Sequence, residues 1–164
     1  MVEFRLRIIV SAPPVDPTKL VWSDDFDVDG LPDSSKWGYD LGGHGWGNQE
    51  LQHYTDRYEN AFVSNGVLNI RAVREDYEDS SYTSARLITK YKGDWTYGRV
   101  QARARLLQCK ATGSWAAIWM LPTDWTYGGW PASGEIDIME HVGYDEGKVH
   151  ASVHTKTFNH MINT

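Results

Sequence analysis

The sequence contains a single cysteine, Cys109, in 164 residues. Neither an internal disulfide nor a cysteine-based metal cluster can form within it. No apolar run approaches the roughly 20 residues that span a bilayer as a helix, so a membrane partner is not expected. No Asn-x-Ser/Thr glycan acceptor is present, and no stretch reads as an amphipathic helix, an internal repeat or a low-complexity segment. Positive charge is also scarce: 16 Lys and Arg stand against 22 Asp and Glu, a formal net charge of -6. A nucleic-acid partner demands a basic face and is not expected. An uncharged substrate is compatible with this balance. The first residues, "MVEFRLRIIVSAPP", do not read as a secretory leader, because Arg5 and Arg7 interrupt what would be its apolar region.

Aromatic residues, in contrast, are abundant. Eight Trp and nine Tyr are more than a core of this size needs, and exposed aromatic rings imply a binding surface as well as a core. The length makes one domain the default.

Along the chain the periodicity is that of strands. Phe4, Leu6, Ile8 and Val10 alternate with Arg5, Arg7 and Ile9, and a linker with Pro13, Pro14 and Pro17 follows. Residues 1–19 therefore read as a strand-like segment plus a Pro-rich linker. The strand is either the last one of an upstream module or part of a tail. Residues 20–164 read as the main domain. In "AFVSNGVLNIRAV", Asn65-Gly66 is a strong hairpin signal between two alternating runs. "RVQARARL" sets Val100, Ala102, Ala104 and Leu106 on one face against Arg99, Gln101, Arg103 and Arg105 on the other. "KVHASVHT" puts His150, Ser152 and His154 on a shared face. Many strands separated by turns predict an all-β antiparallel sandwich or barrel.

One stretch, "GEIDIMEH", departs from simple alternation. Glu135 and Asp137 are spaced for one strand face, but in regular register Glu140 points into the core. A lone buried carboxylate is costly. One extra residue near Ile138–Met139, a β-bulge, returns Glu140 to the face of the other two, and bulges are enriched beside active sites. Three carboxylates in one groove repel each other. Glycoside hydrolysis gives such a grouping a purpose, because it needs a carboxylate and a carboxylic acid flanking one bond. Charges on Glu135 and Asp137 would help keep Glu140 protonated as the acid. A solvent-facing acidic strand and a Ca²⁺ site are the other readings of the same residues. Trp115 and Trp119 in "GSWAAIWMLP", and Trp130 shortly before the acids, offer flat faces on which sugar rings stack.

"GEIDIMEH" and "GSWAAIWMLP" together resemble glycoside hydrolase family 16, in its laminarinase (endo-β-1,3-glucanase) branch. The spacing E-x-D-x-x-E resembles that branch, whereas lichenases and xyloglucan transferases carry the shorter E-x-D-x-E. "LVWSDDFD", "GWGNQELQHYT", "YTSARLITK", "YGRVQARARL" and "VHASVHT" match in the family's order, covering Leu20 to Thr155. The resemblance implies a jelly-roll β-sandwich of the concanavalin A (lectin-like) type and a retaining double displacement on laminarin-like β-glucan. In it Glu135 is the nucleophile, Glu140 the acid/base, and Asp137 the residue that orients Glu135. It also implies substrate contacts at Asn48, Arg86, Trp115, Trp119, Trp130 and His154. For Arg86 a structural ion pair, and for His154 a hydrogen-bonded strand histidine, are the plainer alternatives.

The family continues with further strands beyond the point where this chain stops, so an incomplete sandwich with open edges is expected. No cofactor is required. The structural Ca²⁺ that members often bind is not expected to be secure here, since Asp25 stands where Glu is usual. The resemblance further implies a secreted, monomeric enzyme. Two other readings stand beside it: a non-catalytic β-1,3-glucan recognition protein, and a hydrolase for another β-glucan or a galactan.

Overall fold

The computed structural model describes residues 2–9, 20–106 and 112–162; of residues 2–9 it describes the backbone. Val10, the Pro-rich linker and Cys109 lie outside the described residues. The strands are β1 (Val2–Ile9), β2 (Trp22–Asp24), β3 (Gly38–Asp40), β4 (Gln52–Tyr54), β5 (Ala61–Ser64), β6 (Val67–Ile70), β7 (Val73–Tyr77), β8 (Ser80–Ser84), β9 (Arg86–Ile88), β10 (Arg99–Arg105), β11 (Trp115–Met120), β12 (Glu135–Val142) and β13 (His150–His154). Two 3-10 turns, Gly45–Gly47 and His160–Ile162, are the helical segments among the described residues, so the all-β expectation holds. No helix there is long and apolar enough to cross a membrane.

The chain divides into two compact units, Met1–Arg105 and Leu106–Thr164. In the first, one sheet runs β10-β1-β6-β5 with β2 also paired to β1; a second pairs β3 with β9, and a third runs β4-β8-β7. The alternation that predicts β1 is realised. Its backbone is antiparallel to β10 along Glu3–Ile9 and to β6 and β2 on its other edge. The predicted hairpin joins β5 to β6 with Ser64 opposite Val67. Asn65 (φ 54) and Gly66 (φ 72) both sit in the left-handed region, as a two-residue type I′ turn requires.

The apolar core of the first unit comprises Phe26, Trp37, Ala61, Val63, Leu68 and Ala85. Trp22 packs edge-on against Trp37 and Trp95 at 5.5 and 5.7 Å between ring centres. Asp24 is buried. It accepts hydrogen bonds from the Trp37 indole at 2.7 Å and from the Phe26 backbone N–H at 3.1 Å, and pairs with Lys36 at 3.4 Å. A polar cluster stabilises the β4-β8-β7 sheet, whose β4–β8 pairing is parallel. Asn60 and Thr83 are fully buried; Asn60 bonds to Thr55 and Thr83, and Arg57 joins Asn60, Thr83 and Glu75. A buried polar network of this kind is stable because each member is satisfied, and removing one leaves the others unpaired out of water. Asn60→Ala is expected to destabilise the protein by about 2–4 kcal/mol, read as a lower urea midpoint with unchanged slope.

Candidate active site

In the second unit β12 lies between β11 and β13. Trp119 faces Asp137, but Ile118 faces Met139; on the other side Ser152 faces Asp137 and His150 faces Glu140. Strand β12 thus has one residue more than either neighbour between Asp137 and Glu140. This is the bulge that the acid spacing predicts. Residues two apart in a strand share a face, so Glu135, Asp137 and Glu140 share theirs with Trp115, Ala117 and Trp119 of β11 and with His150, Ser152 and His154 of β13. Ile136 and Val153, opposite each other in register, occupy the reverse face.

The side chains on the acidic face are closely linked. Asp137 is buried, at 5% exposure. His154 Nε2 lies 3.3 Å from Asp137 Oδ2 and 4.0 Å from Glu135 Oε1. The Trp130 side chain is close enough to Glu135 to favour its ionised form. The Trp115 indole donates to Glu140 Oε1 at 2.9 Å. His160, from the second 3-10 turn, stands 5.1 Å from both the Trp130 and His154 rings, and those two rings are 6.0 Å apart. The structure therefore brings together Glu135, Asp137, Glu140, Trp115, Trp130 and His154, with Trp119 across from Asp137. His160 is an addition that a strand pattern gives no means of finding.

Both inner carboxyls hold their protons above the ordinary range. For Glu135 burial is the larger cause and the negative charge of Asp137 the next; for Asp137 burial again leads, followed by the charge of Glu140. His154 acts in the opposite direction on both. Glu135, Asp137 and His154 could also hold a cation, since each offers a ligand atom within 4.8 Å of the others. An ion there would occupy the place of the reacting acids.

The first unit holds the other two residues singled out in the sequence. Arg86 of β9 faces Asp40 of β3 in register and pairs with it at 3.0 Å. Its guanidinium also lies 4.5 Å over the Trp46 ring. Both roles are served at once: the ion pair anchors the cation, and the cation supports an indole. Asn48 is exposed and closes the Gly45–Gly47 turn, its N–H donating to Gly45 O at 2.8 Å. Trp46, absent from the sequence-derived set, has φ 49, inside the left-handed region. Its N–H donates to Gly42 O, and its ring meets His44 and Tyr54. Tyr54 donates to Glu50, and burial together with that carboxylate pushes its phenol up. A bulky residue at positive φ is a genuine outlier, and such outliers cluster at ligand sites. The signal available in the sequence was a Trp between two glycines.

A sequence model for the glycosyl hydrolases of family 16 matches residues 48–161. The chain belongs to glycoside hydrolase family 16. It is 60% identical over 149 residues to the "Beta-glucanase" of Rhodothermus marinus, covering 89% of this chain and 51% of that protein. It is 42% identical over 160 residues to "Glucan endo-1,3-beta-glucosidase A1" of Niallia circulans, covering 86% of this chain and 23% of that one. The solved laminarinase of Rhodothermus marinus superposes with a TM-score of 0.84 at 60% identity, over 88% of this chain and 58% of the other. The fold class is the family's β-jelly-roll sandwich. The chain spans about half the length of the Rhodothermus marinus relative.

The raised carboxyls have a consequence for stability. Each binds its proton more tightly folded than unfolded, so what they contribute falls as pH rises from the unfolded carboxyl range through the folded values. Asp137→Asn removes one charge from the buried group. Its melting temperature at pH 7 is expected to exceed that of the parent by a few degrees, at about 2–4 °C per kcal/mol for a chain of this size. The gain should shrink as pH is lowered into the acid range, as scanning calorimetry at a series of pH values will report.

Proposed function

We propose that this family 16 domain is a retaining endo-β-1,3-glucanase acting on laminarin-like glucans, with Glu135 as nucleophile and Glu140 as acid/base. The observation that carries the reading is the bulge in β12, which sets Glu140 on the face of Glu135 and Asp137. The relatives' names, β-glucanase and glucan endo-1,3-β-glucosidase, support the reaction and the linkage. A glucan-recognition role would have no use for two carboxyls held out of water at a cost in stability.

Glu135 attacks the anomeric carbon as the bond to the departing sugar breaks, and Glu140 delivers a proton to the leaving oxygen. Glu140 then takes a proton from water as that water displaces Glu135. His154 and, after it, Trp130 favour the ionised form of Glu135 and offset part of the effect of burial. Asp137 and His154 form a bonded pair behind the nucleophile and fix its orientation. Trp119 and Trp130 offer ring faces to the glucan. The domain works outside the cell as a monomer and requires no metal.

Glu135→Gln should lower laminarin turnover by at least about a thousandfold while laminarin binding stays measurable by calorimetry. Glu140→Gln should lose roughly 10²- to 10⁴-fold on laminarin, yet still cleave aryl glucosides whose phenol leaves without protonation. NMR of the first product formed should show the β-anomer. Near-normal activity in both variants, or an α-anomer, refutes the assignment.

A further inference from the structure

In the reaction proposed above, Glu140 must give a proton and later take one from a single place. The two inner acids share a holder: His154 lies against both Asp137 and Glu135. Glu140 stands further along β12 and has a different one. Its Oε1 receives the Trp115 indole N–H at 2.9 Å.

Register explains how the indole arrives there. Ala117, not Trp115, is opposite Glu140; Trp115 is opposite Val142. The indole therefore crosses the diagonal, a separation of about 7–8 Å that large aromatic side chains can span. The residue it passes is an alanine, whose methyl leaves the diagonal open. Trp115 is 63% exposed, so its N–H edge is committed while a ring face stays open.

The chemistry of the indole limits what this contact can do. Indole N–H is a donor and never an acceptor. It can engage a carboxylate oxygen or the carbonyl oxygen of a carboxylic acid, but not the oxygen's own O–H. With Oε1 occupied in this way, the mobile proton is left to Oε2. We propose that Trp115 is the positioning residue of the acid/base: its indole N–H holds Oε1 of Glu140, so that Oε2 carries the proton, and Ala117 keeps the path between them clear. Oε2–H protonates the glycosidic oxygen as the C–O bond breaks. The same Oε2 takes a proton from water as the new C–O bond forms. This rests on the reading of Glu140 as the acid/base.

Trp115→Phe tests it, keeping an aromatic face and removing the donor. On laminarin, kcat/KM should fall roughly tenfold, with KM within about twofold of the parent, as expected for a lost hydrogen bond to a reacting group. On a dinitrophenyl β-laminaribioside, which needs no proton to depart, kcat/KM should stay within about twofold. No loss on either substrate, or an equal loss on both, overturns the proposal. A readout independent of turnover uses the full chain labelled with ¹⁵N-tryptophan. The Trp115 indole resonance, identified by its disappearance in Trp115→Phe, should move in Glu140→Gln; an unmoved resonance also overturns the proposal. If the parent cleaves neither substrate, the function proposed above fails, and the indole resonance still decides whether the hydrogen bond exists.

Discussion

The second unit is organised around two like-charged carboxyls taken out of water beside one imidazole. Asp137 is almost wholly buried and Glu135 is half-buried; the charge of Asp137 raises the proton affinity of Glu135, and that of Glu140 raises the proton affinity of Asp137. Left alone they would take up protons or turn outward. Neighbouring strands prevent this. β11 and β13 flank β12 on both edges, and β13 delivers His154 opposite Glu135 in register. The sheet's ladder thus holds a charge arrangement that the side chains would not choose, and the third acid is added at its margin by the bulge.

The first unit solves a different problem. Its buried polar groups, Asp24 and the Asn60–Thr83 cluster, are satisfied by indole, ammonium, hydroxyl and amide partners, so they add rigidity without like charges set against each other. The contrast separates scaffold from chemistry. Buried polarity that is fully paired specifies the packing, and buried polarity that repels marks the reacting site. Trp46 is intermediate: its left-handed backbone is a local strain, held by a carbonyl partner and by the Arg86 cation.

Local periodicity carried much of this in advance. Alternation in "RVQARARL" and "KVHASVHT" gives β10 and β13, and Asn65-Gly66 gives the turn between β5 and β6. The phase error at Glu140 gives the bulge, because a side chain's face is a matter of counting. Partners are a different matter. Nothing local tells β1 that it will meet β10, β6 and β2, or makes β4 parallel to β8 in a chain of antiparallel signals. The donor on Glu140 is hidden for the same reason. Trp115 reads as a sugar platform until the register shows its nitrogen crossing a diagonal. His160 belongs to a 3-10 turn, which has no period long enough to read.

The extra residue in β12 also bears on how such a strand can change over generations. Loss of one residue between Asp137 and Glu140 would ordinarily invert everything beyond it, but here it would restore a regular two-residue alternation. The three acids would still look the same way. A deletion at this point is therefore neutral in parity, and because Asp137 and Glu140 already stand opposite residues two apart on both neighbours, it would leave their separation near two residues' rise of about 3.3 Å each. Substitution at Glu140 has no such freedom, so the strand is more tolerant of a change in its length than of a change in its chemistry.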